Sequence, residues 1–266
     1  MTRARVVSSV IAGIVLAIGC GGSKPQDAGA APQATSPAQA PQSGTQTSPG
    51  SAANGSATIT GAVQFEGAAP AREKIQMAAD PVCQQTHATP VFSEAVVVND
   101  NQTLKNVFVY VKSGLTGTFS APATPVAIDQ AGCWYAPHVL GLQTNQPLEI
   151  RNSDATLHNI NAKPTQNQPF NLAQPVQGMK TVKKFAKPEI MVSVKCNVHP
   201  WMNAYIGVVD HPFFAVSDGS GAFTISGLPA GTYVLEAWHE KYGAQTQNVT
   251  VADGQTQSVD FTFKAP

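Results

Sequence analysis

Charge is scarce in this sequence. Only 12% of its 266 residues are Asp, Glu, Lys or Arg, and the signs balance at 16 acidic against 16 basic. No Lys/Arg cluster breaks that balance, so the chain lacks the electrostatic footprint of a nucleic-acid binder and no such partner is expected. Long helical periodicity is missing beyond the N-terminus, and no apolar run is long enough for a comfortable membrane span. Cysteine is limited to Cys20, Cys83, Cys133 and Cys196. None of the four opens a Cys-x-x-Cys-His run, which removes c-type haem attachment.

What is present points to β structure behind an export signal. Apolar residues make up 42% of the chain, enough for the core of one or two domains. Arg3 and Arg5 precede a short apolar run from Val6 to Ile18 that ends at Gly19-Cys20, the layout of a signal peptide over residues 1–19. That ending resembles the bacterial lipobox, although Ala17 stands where leucine is commonest; the resemblance implies lipidation of Cys20 and a membrane anchor. Cleavage there leaves 14 basic against 16 acidic side chains, a net charge of −2. Plain signal-peptidase cleavage with Cys20 incidental is the alternative. Gly21 after Cys20, with no Asp at that position, leans towards the outer membrane, with the protein facing the periplasm.

Residues 20–57 are Ala, Pro, Gln, Ser, Gly and Thr with almost no charge. Such a composition cannot bury enough surface to offset its ordering entropy, so a disordered tether is expected. Strand-like runs follow at 57–65, 95–98, 107–111, 125–128, 147–150, 190–194 and 204–209, then at 213–216, 222–225, 232–237, 248–251 and 259–263. Turn chemistry (Asp-Gly, Ser-Gly, Pro-Ala-Gly) separates them, the pattern of an all-β sandwich or two. Export places the cysteines in an oxidising compartment. With Cys20 lipidated and Cys196 assigned to metal, Cys83 and Cys133 remain as a disulfide pair, closing a loop of about 50 residues worth about 4 kcal/mol. A metal site on those two cysteines is the competing reading.

The sharpest motif is Cys196-Asn-Val-His199-Pro-Trp-Met202, set between two apolar runs and hence on a loop joining strands. Thiolate, imidazole and thioether together suit soft or borderline metals, copper above all. Zinc has little use for a thioether. The second histidine is His158, in Asn152-Ser-Asp-Ala-Thr-Leu-His158-Asn159. Cysteine, two histidines and an axial methionine form the inventory of one mononuclear type 1 copper site. A dinuclear site would need a second loop cysteine, and Val192 and Lys195 stand nearby instead. His87 and His138 read as hydrogen-bonded structural residues, and His211 and His239 have no partner pattern.

Over residues 119–210 the sequence resembles the cupredoxin family. Tyr135 to Asp154 is similar to the two strands leading to the family's first histidine ligand, with Asn145-Gln146 where a Gly-Asp or Gly-Glu turn is common. The Cys-x2-His-Pro-aromatic-Met loop is most similar to that of amicyanin. The resemblance implies a Greek-key sandwich in which His158 and His199 bind through ring nitrogens, Cys196 supplies the thiolate and Met202 is axial. It also implies that Asn159 ties the two ligand loops together, while Pro200 and Trp201 form an apolar surround. Residues 211–266 resemble the carboxypeptidase regulatory-like (transthyretin-like) module, on Ser217-Asp-Gly-Ser-Gly-Ala-Phe through Gly-Thr-Tyr-Val-Leu-Glu-Ala237 and Tyr242-Gly. Ile59–Phe65 and Lys105–Val111 look like the opening strands of the same module, so residues 58–118 are expected to belong to it, with the cupredoxin region inserted. One contiguous cupredoxin from 58 to 210 with a short appendage is the alternative.

These readings imply a non-enzymatic electron-transfer lipoprotein of the cell envelope, whose partner would be a redox protein such as a cytochrome or dehydrogenase. A structural or binding sandwich recognising polysaccharide or protein, with copper absent or vestigial, is the alternative. Copper storage would normally show several Met/His clusters; this chain has five methionines and one such cluster.

Overall fold

The computed structural model describes residues 55–265. The predicted signal peptide, the lipidation site Cys20 and nearly all of the predicted tether lie outside the described residues. The composition extends the expected tether to residue 57, but Ala57 is fully buried and opens the first strand. Among the described residues the protein is all-β, with no helix long and apolar enough to cross a membrane.

Seventeen strands form in the described residues. They are β1 (Ala57–Glu66), β2 (Phe108–Ser113), β3 (Val126–Gln130), β4 (Tyr135–Ala136), β5 (Val139–Gln143) and β6 (Leu148–Asn152). Next come β7 (His158–Lys163), β8 (Phe170–Gln174), β9 (Lys180–Lys183), β10 (Glu189–Lys195) and β11 (Asn203–Val209). The last are β12 (Phe214–Val216), β13 (Ala222–Leu228), β14 (Gly231–His239), β15 (Gly243–Val251), β16 (Thr256–Ser258) and β17 (Phe261–Lys264), and a single-turn helix α1 (Pro81–Thr86) lies between β1 and β2. Four sheets result. β13-β1-β16 with β17 also on β1 is the first, β12-β2-β14-β15 the second, β5-β11-β10-β7-β8 the third and β4-β3-β6-β9 the fourth. The first two are built from residues 57–113 and 214–264, and the last two from residues 126–209.

The period-two rule explains how the sheets stack. Along β2, Val109 and Val111 enter a core shared with β1, β13 and β17, while Phe108 and Tyr110 point the other way, into a second core with Val139 and Val209. Along β11, Ala204, Ile206 and Val208 face a third core with β3 and β6, while Val209 faces back towards Phe108. Strands buried on both faces read as continuous apolar runs, which is how Val107–Val111 and Ala204–Val209 look in the sequence. Two paired glycines let the second and third sheets approach. Gly141 sits opposite Gly207 in the parallel β5–β11 ladder. A β-carbon at either position would stand 2.5 Å from the ring of Phe214 or Phe108.

One local expectation fails, and one short element goes beyond what was expected. The predicted strand at 95–98 reduces to an isolated bridge of Val98 with Leu104. The chain reverses immediately afterwards, with Asn99 N–H donating to Thr103 O and Gln102 held at φ 59°. Helix α1 was not anticipated, although Asp80 before Pro81 is an N-cap followed by proline at the first helical position.

Candidate metal centre

The sequence-predicted ligands lie where the third and fourth sheets close at one end. His158 is the first residue of β7, Cys196 follows β10 directly, and Met202 precedes β11. Strand β10 pairs antiparallel with both β7 and β11, so the start of β7 and the loop after β10 emerge side by side. The loop closes on itself: Cys196 N–H donates to Met202 O at 3.1 Å and Met202 N–H to His199 O at 2.9 Å. Cys196 and His199, with two residues between them, are therefore presented towards β7 without a detour. Met202 is fully buried in the same core as Cys196.

The donor atoms converge. Nδ1 of His158 and Nδ1 of His199 stand 2.9 Å apart, and Cys196 Sγ is 3.9 Å from His199 Nδ1. All three ligand atoms fall within 4.8 Å of one another, and all three residues are buried. The outer nitrogens are already committed. His158 Nε2 pairs with Asp154 Oδ2 at 2.8 Å, and His199 Nε2 with Asp80 Oδ2 at 2.9 Å. A carboxylate beside Nε2 keeps the proton there and leaves Nδ1 with its lone pair directed inward. Two such lone pairs and a thiolate facing one another require a cation between them, a proton or a metal ion. The donor set therefore fits a soft or borderline metal.

Electrostatics agree with that geometry. Burial alone would raise the Cys196 thiol, but the His158 imidazole and the backbone N–H groups of Asn159, His199 and Val198 hold it down at about 6. Burial would lower His158, yet Asp154 and Cys196 raise it to about 9. Both shifts favour the charged forms, the thiolate of Cys196 and the imidazolium of His158. Asp154 is pushed up by burial, but His158 and the N–H groups of Cys133 and Gly132 bring it below the usual carboxylate range, and His199 does the same for Asp80.

The surrounding residues divide. Asn159 Oδ1 accepts the Asn197 N–H at 2.6 Å and lies 3.4 Å from Cys196 Sγ, while its Nδ2 donates to Asn171 Oδ1 at 2.6 Å. Trp201 lies 5.0 Å from the His199 ring and donates Nε1–H to Cys133 O at 2.9 Å. Pro200 does not contribute the expected apolar cover, because it is exposed. Cover over His199 comes instead from Trp201, Asp80 and Cys83, whose Sγ is 3.6 Å from His199 Nε2. Cys83 and Cys133 form a disulfide, which removes both from any ligand set. His87 bonds Gly132 O at 2.7 Å, His138 pairs with Glu240 at 2.5 Å, and His211 bonds Val111 O at 2.8 Å. His239 Nδ1 accepts the Lys241 N–H at 3.2 Å.

Sequence reasoning missed Asp80, Asp154 and a buried amide network. Gln130 Nε2 donates to Arg151 O and to Gln174 Oε1, and Gln174 Nε2 donates to Ile150 O. Asn152 Nδ2 donates to Gln174 O and Thr156 O, and its Oδ1 accepts the Asp154 N–H at 3.0 Å. The loop that carries Asp154 is thus fixed from below. Asp154 had a signal in its place four residues before His158; Asp80 had none as a partner of His199.

Comparison with known proteins covers the chain piecewise. Residues 197–264 match the family model described as carboxypeptidase regulatory-like domain. The match opens inside the ligand loop rather than at the boundary expected at 211. No curated protein matches the chain. Solved cupredoxins are among its structural neighbours. A purple cupredoxin from Nitrosopumilus maritimus is 21% identical over 31% of this chain and 97% of its own, with TM-score 0.27. A Cu(I) amicyanin variant is 16% identical over 38% of this chain and 97% of its own, with TM-score 0.29. A copper-containing nitrite reductase from Thermus scotoductus SA-01 is 23% identical over 35% of this chain, with TM-score 0.30; the likeness spans only 24% of that enzyme's length.

Proposed function

We propose that this protein is an electron-transfer protein with one mononuclear type 1 copper site, held by His158, Cys196, His199 and Met202. The observation that carries this reading is the convergence of two inward Nδ1 atoms and one thiolate within 4.8 Å in a buried, sheet-anchored pocket. Bound copper would supply a one-electron couple. The chain's own residues do the rest. His158 and His199 present lone pairs fixed by their outer hydrogen bonds, and Cys196 is held as thiolate. Burial of Cys196, His158, His199 and Met202 excludes water from the donors. Ligands set on rigid strand ends change little between oxidation states, which favours electron transfer. Four protein donors leave no open position for a substrate, so no enzymatic role is proposed.

The setting is the cell envelope. The basic start, short apolar run and Cys20 support export and lipid anchoring to a membrane, with the sandwiches facing the periplasm. Leu157 and Val198, chain neighbours of the two imidazoles, are 42% and 45% exposed. Apolar side chains beside the site suit a transient redox partner, a cytochrome or dehydrogenase. The test is addition of Cu(II) to the metal-free protein. An intense visible thiolate-to-copper absorption is expected, and Cys196→Ser should abolish it. No colour in the unaltered protein would overturn the reading.

A further inference from the structure

Both ligand imidazoles are buttressed in the same way from outside, and the two buttresses share one anchor. Asp80 divides its carboxylate. Oδ1 accepts the N–H groups of Val82 at 2.9 Å and Cys83 at 3.2 Å, while Oδ2 takes His199 Nε2 at 2.9 Å and the Thr156 hydroxyl at 3.2 Å. Asp154 does the equivalent. Oδ1 accepts Gly132 N–H at 2.7 Å, and Oδ2 accepts Cys133 N–H at 2.8 Å and pairs with His158 Nε2 at 2.8 Å. Each carboxylate therefore hangs on the backbone of one half-cystine, Cys83 or Cys133, and those two are covalently joined. Trp201 adds a third tie from the ligand loop to Cys133. His199 lies on an exposed-edge loop, yet only 2% of it reaches solvent.

We infer that Asp80 and Asp154 are positioning residues that hold Nε2–H of His199 and His158, and that the Cys83–Cys133 disulfide joins them into one outer frame around the metal pocket. The inference deepens the copper reading and rests on it for what the pocket holds. A carboxylate on the remote nitrogen fixes ring orientation and makes the imidazole a stronger donor. Stronger donation favours the more highly charged oxidation state, so the frame lowers the reduction potential. It also seals the His199 ring edge, so electrons pass through the covering residues rather than from a bare imidazole.

The test uses Asp80→Asn and Asp154→Asn in the full chain. Asparagine caps helices as well as aspartate does, so Asp80→Asn keeps α1 while removing the anionic partner of His199. Expected are a higher midpoint potential in each variant and Cu(II) binding weaker by about 10- to 100-fold. In the Cu(I) form, proton NMR should show both Nε2–H signals slow to exchange. Asp80→Asn should speed only that of His199, and Asp154→Asn only that of His158. Cys83→Ser with Cys133→Ser should speed both. An unchanged potential and unchanged exchange in folded variants would overturn the frame. Exchange of the same two protons can be read in the metal-free protein, so a chain that takes up no copper defeats the electron-transfer reading while leaving the frame separately testable.

Discussion

The two sandwiches of this protein share a plan but not an interior. The core between the first and second sheets is mainly apolar, with Ile59, Phe65, Phe223, Phe261 and Phe263 packed against Val109, Leu235 and Val251, and its buried polar groups, Ser217, His211 and His239, are scattered singly around it. The core between the third and fourth sheets ends in a buried polar cap, where His158, His199, Gln130, Asn152 and Gln174 are all nearly or fully enclosed. Apolar packing needs volume and pattern, and tolerates exchange of like for like. A buried polar cap needs every partner in place, because an unpaired group forfeits its hydration without return. The first sandwich is thus held mainly by apolar packing, and the second adds a buried polar cluster at one end.

The contrast is broken most severely by a core truncation on the apolar side. Phe261→Ala should destabilise the protein by about 3–5 kcal/mol in denaturant unfolding while leaving the copper absorption of the folded protein unchanged. A shifted band would mean that the two interiors are not separable. Cleaving the Cys83–Cys133 disulfide should cost about 4 kcal/mol by the loop-entropy argument. Unlike the phenylalanine change, it should alter the metal site as well. Within the polar cap, Gln174→Ala leaves Gln130 Nε2 short of one acceptor and should cost about 1–3 kcal/mol, measured by thermal unfolding. An effect below a few tenths would show that water replaces the amide.

Titration sharpens the comparison with the smallest expected change. The Cys196 thiol, at about 6 folded against 9.0 unperturbed, contributes stability that is present above 9 and lost as pH falls through 6. His158, at about 9 folded against 6.5, contributes stability that is present below 6.5 and lost as pH rises through 9. Between 6.5 and 9 the folded pair keeps its proton on His158 and the unfolded chain keeps one on the thiol. Proton inventories match, so the pair should add almost no slope to metal-free stability in that window. On the proposed copper reading, the metal displaces that proton. About one proton should be released per ion near pH 7.5, read by calorimetry in buffers of different ionisation enthalpy, and affinity should rise with pH up to about 9. Release of two protons would place the thiol in its protonated form.

Much of this was legible from particular residues. Val107–Val111 announced a strand by composition, and its continuous apolarity becomes intelligible once both its faces are seen to be covered. The grouping of Cys196 with His199 was legible because one short loop carries both. His158 was legible because His-Asn follows a strand. The failures are equally specific. Ala95–Val98 has strand composition but meets a reversal at Asn99, and propensity alone cannot register where a partner strand ends. Pro200 looked like cover and points to solvent. Gly141 and Gly207 gave no hint that two phenylalanine rings would rest on them.

What the sequence determined by itself is chemical type: an all-β chain and a soft-donor set at loop spacing. Those properties are local, carried by residue identity and short-range period. What only the tertiary structure decided is enclosure. Asp80 reaches His199 across 119 positions, and Cys83 meets Cys133 across 50. Both juxtapositions follow from how sheets stack and loops cross. A carboxylate comes to lie beside a buried imidazole through where the fold delivers it, a long-range property that no local pattern encodes.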